Sequence, residues 1–192
     1  MGDPRRRFPN KYVSLEHPWR RDRLEREYIL VGEYGLKNKK EIWRLKYIIK
    51  KYRRMMRELR STHDEERKKE IMGYLKNAVG KYGLLGPDDP IDKVLDLTEE
   101  DLLKRRLQTL VYMKGLARTI HQARQFIVHG HVRVAGRRVR SPGYLVPVEL
   151  EDKITVDEKV KPLIEGVTSP TSIGTERIMS LLESRERRWR RY

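Results

Sequence analysis

The sequence predicts an α+β fold: a helical region first, then a small domain of two helices and a short antiparallel sheet, then a basic tail. Three observations carry this. Apolar residues recur every three or four positions over 39–60 and again over 65–82. Gly83, Gly86, Pro87 and Pro90 then punctuate the chain. Beyond residue 130, short β-forming runs flank Gly136. A period near 3.6 marks helix, and short β-forming runs around a turn glycine mark a hairpin. The expected division is a basic N-terminal extension over 1–35, a helical domain over 36–97, a helix–helix–hairpin domain over 98–160 and a partly helical basic tail over 161–192.

The extension opens on Arg5, Arg6 and Arg7. Residues 1–10 read as an arm that stays loose until it meets a polyanion, with an ordinary solvated terminus as the plainer alternative. Arg20, Arg21, Arg23 and Arg26 follow at partly helical spacing with Leu24 and Tyr28. Over 39–60, Ile42, Leu45, Ile49, Tyr52, Met56 and Leu59 share one helix face, while Lys46, Lys50, Arg53, Arg54 and Arg57 lie on the other. Trp43 and Tyr47 flank the stripe and read as core edge rather than as a base-stacking platform.

Ser61, Thr62, His63 and Asp64 offer caps for a second helix over 65–81, with Ile71, Leu75, Val79 and Tyr82 as its apolar markers. The pair makes an αα-hairpin. After a short apolar patch around Val94, a third helix is expected from Thr98, with Glu99, Glu100 and Asp101 in its first turn, to a stop at Gly115. Its stripe is Leu103, Leu107, Leu110 and Val111. A fourth runs from Thr119, with Gln122 three positions on, to Gly130. Ile120, Ala123 and Ile127 face inward, joined by Phe126.

The hairpin is Val132–Val134 and Arg138–Val139 about Gly136, and Ile154–Val156 is a further strand. Pro147 keeps the alternating run Tyr144–Leu150 from being a regular central strand. The sheet should have three to five strands. The tail ends in Arg187, Arg188, Arg190 and Arg191 around Trp189.

Charge bounds the function. In 192 residues, 44 Lys and Arg stand against 28 Asp and Glu, a net charge of +16. A small soluble domain carries a magnitude of about 2–8. So large a surplus repels itself unless counter-charge is supplied, and phosphate backbone is its commonest source. An anionic membrane is the rival, but no stretch approaches a transmembrane span and no apolar block follows the basic start. The chain has no cysteine, which excludes a disulfide framework, cysteine-ligated zinc and thiol chemistry and fits a reducing cytosol.

The donors concentrate between residues 118 and 140. Arg118, Gln122, Gln125 and His129 follow helical spacing, with His121 and Arg124 beside them, and Arg133, Arg137, Arg138 and Arg140 continue onto the hairpin. Arg forks match phosphate oxygens geometrically. His129 and His131, two apart across Gly130, lack third and fourth metal ligands nearby, so no metal is expected, and no cofactor. Acidic residues fall at turns and helix starts, and no nucleophile elbow, Walker A loop or H-E-x-x-H sequence appears. No enzyme is expected.

Arg105–Tyr112, Gly115–Thr119, Ala123–Gln125, His129–Val134, Arg137–Val139, Pro142–Tyr144 and Asp152–Val156 follow one another as spaced blocks. In that order they resemble the small RNA-binding domain named after ribosomal small-subunit protein four. Gly32–Lys39 with Glu41–Arg44 resembles the archaeal and eukaryotic branch of that ribosomal protein family, so the likeness covers about residues 10–160. The His129-Gly130-His131 form leans toward archaea.

The resemblance implies a structural constituent of the small subunit, in the cytoplasm. It would bind ribosomal RNA at a helix junction, nucleate assembly of the subunit body and lie near the path by which messenger RNA enters. Neighbouring ribosomal proteins and messenger RNA would be its further partners, with no membrane and no homo-oligomer. It also implies that Arg106, Arg118, Thr119, His121, Gln122, Arg124, Gln125, His129, His131 and Arg133 line the RNA face. Helicase-like help, described for bacterial relatives, would fall to Arg5, Arg6 and Arg7 or the C-terminal arginines. The bacterial zinc knuckle has no cysteines here and is not carried over. A free RNA chaperone or quality-control binder would present the same face. An RNA-modifying enzyme carrying the same accessory domain would need a separate catalytic domain that residues 1–97 do not offer.

Overall fold

A computed structural model describes Tyr12 and residues 17–86, 89–158 and 160. Its first element is α1 (Arg21–Glu33), followed by α2 (Lys40–Ser61) and α3 (Glu65–Gly80). The six stripe residues of α2 are all buried. Tyr52, Met56 and Leu59 pack with Leu75 and Val79 of α3 and with Val94 and Leu97 around a 3₁₀ turn at Ile91–Leu95. The residues expected to cap α3 act elsewhere. Asp64 makes no side-chain cap bond. Thr62 Oγ1 and Ser61 Oγ donate to Glu58 O at 2.8 and 3.1 Å instead, closing the end of α2.

The other end of α2 joins a second cluster of Tyr34, Leu36, Ile42, Leu45, Ile49, Leu102 and Leu103, against which Leu30 and Val31 of α1 pack. The stretch expected as a basic extension is therefore a packed helix from Arg21 onward. Its residue Glu27, 1% exposed, accepts from Trp43 Nε1 at 3.0 Å and faces Arg23 Nε at 3.4 Å and Lys39 Nζ at 3.7 Å. One neutral hydrogen-bond donor and two opposite charges allow a carboxylate to sit there.

The single helix expected from Thr98 to Gly115 is two: α4 (Glu99–Lys104) and α5 (Leu107–Met113). Thr98 and Asp101 do form the capping box that starts α4. The break follows from tertiary pairing. Arg106 is extended (φ −73°, ψ 143°) and bridges Leu145 antiparallel. Leu107 N–H donates to Tyr144 O at 2.8 Å and Val146 N–H to Arg105 O at 3.0 Å. A run of helix-compatible residues thus yields to hydrogen bonds from far along the chain.

After α6 (Ile120–Val128) come β1 (Val132–Val134), β2 (Arg137–Arg138), α7 (Val148–Glu151) and β3 (Ile154–Val156). The antiparallel sheet has order β2-β1-β3, pairing Arg133 with Arg138 and with Thr155. Among the described residues it stops at three strands, because Pro147 leads into α7 where the apolar alternation suggested an extended run. Ala135 (φ 49°) and Gly136 (φ 76°) form the two-residue turn, both left-handed as a right-twisted hairpin requires. Leu107, Leu110, Val111, Ala123, Phe126, Ile127, Val132, Val134 and Ile154 make the third core, between α5, α6 and the sheet.

Candidate nucleic-acid interface

Helix α6 buries Ala123, Phe126 and Ile127 and so turns its remaining sides outward. Thr119 caps it, its hydroxyl accepting from Gln122 N–H at 3.1 Å, while the Gln122 side chain accepts from Arg118 N–H at 2.7 Å. Arg118, Thr119, His121, Gln125 and His129 are exposed and Gln122 is half-buried. At the far end Gly130 takes φ 80° and His131 N–H donates to Phe126 O at 2.8 Å, so the chain reverses straight into β1.

That reversal brings the hairpin cations to the helix. A Cβ on Gly130 would lie 2.9 Å from Arg138 Cδ and 3.3 Å from Arg140 Nε. Both side chains lie across the bare glycine. His129, His131, Arg133 and Arg138 share one open concavity of about 570 Å³ with Thr155, Asp157 and Glu158. The two imidazole rings stand 6.5 Å apart. Asp157 fixes its neighbours, with Arg133 Nε at 3.0 Å and His131 Nδ1 at 3.8 Å. Arg137, Arg138 and Arg140 are exposed. Among the described residues no three His, Asp or Glu side chains group as metal ligands.

Two members of the expected face are not on it. Arg106 is 3% exposed and donates from Nη2 to Glu41 Oε2 at 2.6 Å. Arg124, half-buried, donates from Nη2 to Glu41 Oε1 at 2.6 Å and from Nη1 to Gln108 Oε1 at 3.1 Å and Gly35 O at 3.3 Å. One carboxylate of α2 thus holds an arginine from the start of α5 and another from α6. Burial opposes the charge on Glu41, but the hydrogen bonds from Arg124 and Arg106 more than offset it and hold the carboxyl below its ordinary range. Buried Gln108 completes the joint, donating to Gly35 O and Ile120 O at 3.0 Å each. Gly35 (φ 54°) lets the chain pass there, since a Cβ would meet Ile120 Cγ2 at 2.6 Å.

Sequence reasoning missed Glu41, Gln108, Gly35 and Asp157. Helical spacing located Arg124 on α6, but the outward side meets α2 at that position. Glu41 directly precedes the buried stripe of α2, the one signal that it sits at the edge of a packed face.

On α2, Lys50, Arg53, Arg54 and Arg57 are exposed, and Arg53 Nη2 donates to Leu97 O at 2.8 Å. Lys46 is half-buried between Glu27 at 4.0 Å and Glu99 at 3.8 Å. Arg5, Arg6, Arg7, Arg187, Arg188, Arg190 and Arg191 lie outside the described residues.

Two short helices followed by a hairpin, with guanidinium and imidazole groups on the outer side, define a small RNA-binding module. The family model described as S4 domain matches residues 105–152, beginning where α4 ends. Over a longer span, the small ribosomal subunit protein uS4 of Hyperthermus butylicus is 48% identical across 154 residues, 80% of this chain and 86% of that protein. Its counterpart in Methanothermobacter thermautotrophicus is 44% identical across 157 residues, 80% of this chain and 89% of that protein. That of Saccharolobus islandicus is 48% identical across 158 residues, 80% and 84% respectively. The chain belongs to the small ribosomal subunit protein uS4 family, in its archaeal branch. This is a family of ribosomal proteins, not of enzymes.

Proposed function

We propose that the chain is a structural constituent of the small ribosomal subunit that binds ribosomal RNA directly and takes part in assembling the subunit. Membership of the uS4 family carries this reading. The contact surface is formed by Arg118, Thr119, His121, Gln122, Gln125, His129, His131, Arg133, Arg137, Arg138 and Arg140. Its support is the exposure of these donors, all but the half-buried Gln122 and His131, around α6 and the β1–β2 hairpin, with Arg138 and Arg140 drawn over Gly130. RNA helices are read mainly by shape and backbone, which suits many guanidinium groups spread over one surface. Arg106 and Arg124 serve this surface from behind, by holding α5 and α6 on α2 through Glu41.

The finer reading is binding at a helix junction, early in formation of the subunit body, near the path by which messenger RNA enters. The exposed cations of α2, Lys50, Arg53, Arg54 and Arg57, form a second basic surface, which Lys46 borders, and the arginines of both termini are proposed as further RNA contacts. Neighbouring ribosomal proteins are the expected protein partners. The test is a filter-binding titration of the full chain against small-subunit rRNA over a salt series. A steep fall in affinity with salt is expected, with the slope reduced by about one for each phosphate-contacting arginine changed to alanine. Retention on small subunits through a moderately high-salt wash separates a constituent from a transient binder. A shallow salt dependence, or loss in that wash, would sink the reading.

A further inference from the structure

The joint around Glu41 leaves a cleft open between α2 and the segment 141–145. It encloses about 470 Å³, within the roughly 300–1,000 Å³ of pockets that hold small organic ligands. Leu45, Ile48, Pro142 and Leu145 supply apolar lining. Three guanidinium groups, Arg44, Arg106 and Arg124, border it against the one carboxylate of Glu41. Arg106 keeps a buried terminal nitrogen, Nη1, with no hydrogen-bond partner among the described residues. Arg44 is exposed and forms no ion pair among the described residues. Tyr47, one of the aromatic residues expected at the core edge, is 42% exposed at this cleft, whereas Trp43 is packed and bonded to Glu27.

An apolar trough with an exposed aromatic ring and an exposed guanidinium has the chemistry of a nucleotide site. The ring and the aliphatic lining take the faces of a base, and the guanidinium takes a phosphate. We propose that this cleft receives one unstacked RNA nucleotide, its base against Tyr47 and its phosphate on Arg44. The inference rests on the RNA-binding reading above and adds a contact bordered by the Glu41 joint. The joint gives the site its shape: Glu41 holds Arg106 and Arg124 at fixed places in the wall, so the cleft is formed before RNA arrives.

The test uses the full chain with small-subunit rRNA. Filter binding gives affinity, and chemical probing of the RNA bases and sugars gives the footprint. Bound wild-type protein should make one nucleotide stand out as unstacked and protected on its phosphate. Tyr47→Ala should weaken binding at least about five-fold, the lower end for loss of a base–aromatic stack, and erase that single signature while the rest of the footprint stays. Tyr47→Phe should restore both, because the ring and not the hydroxyl is required. Arg44→Ala breaks no ion pair among the described residues, so it reports on the site without an effect on folding, and it too should erase the signature. Equal affinity and an unchanged footprint in Tyr47→Ala and Arg44→Ala would overturn the nucleotide site while leaving RNA binding intact. Failure of the wild-type chain to bind rRNA specifically would overturn both.

Discussion

Arg106 and Arg138 carry the same guanidinium, in one small domain, to opposite ends. Arg106 is 3% exposed and bound to Glu41 at 2.6 Å, where it holds the domain to α2. Arg138 lies exposed across Gly130 and faces solvent with His129, His131 and Arg133. A buried guanidinium needs its counter-charge inside the protein, since none can reach it from outside. An exposed one leaves that place for a partner. Residue type therefore marks a basic module, and burial against a carboxylate separates its fastening arginines from its outward ones.

Substitution can break this contrast at several points. The largest effect is expected for Glu41→Ala, which leaves buried Arg106 unpaired and half-buried Arg124 without its carboxylate. A loss of about 3–5 kcal/mol in denaturant melts is expected, as for other severed buried pairs. Gly35→Ala follows, forcing a Cβ to 2.6 Å from Ile120 Cγ2 at a φ of +54°. Left-handed strain costs about 1–2 kcal/mol and overpacking about 1–3 kcal/mol, and the midpoint should fall accordingly.

A smaller effect is expected from pH. The folded carboxyl of Glu41 sits below its ordinary value of 4.5. A depressed folded pKa contributes stability that is fully present above the unfolded value and is lost as pH falls through the folded one. Stability of the wild-type chain should thus decline below about pH 4.5, and Glu41→Gln should flatten that decline in acid titrations followed by circular dichroism. The smallest change in stability belongs to Arg137→Ala and Arg138→Ala, within about 0.5 kcal/mol as for exposed sites. Their effect should appear instead in RNA affinity and its salt slope, measured by filter binding. A large loss of stability in Arg138→Ala would erase the distinction between the two kinds of arginine.

Local signals in the chain were legible where local physics decides. All six apolar positions of α2 are buried, and Thr98 and Thr119 cap the helices they were expected to cap. The hairpin turn about Gly136 was equally plain. What escaped depends on residues far apart. Arg105 and Arg106 look helical until Tyr144 and Val146 compete for their neighbourhood. Glu27 looks like an ordinary solvated acid until α2 closes on it, and Glu41 until α5 and α6 do. Asp64 stands in good capping position, yet the hydroxyls of Ser61 and Thr62 turn back to α2. Of the expected site, the outward donors followed from helical spacing, while Arg106 and Arg124 required knowledge of which face meets α2.

The pairing of Leu107 N–H with Tyr144 O also sets an order in time. A chain emerging from the ribosome can close the α2–α3 hairpin from residues already made, whereas the start of α5 must wait for a carbonyl translated much later. The half that carries the outward cations is thus the last part of the described structure to be secured, and a chain truncated before Tyr144 would keep the Glu41 joint but lack the strand bridge at which α5 begins.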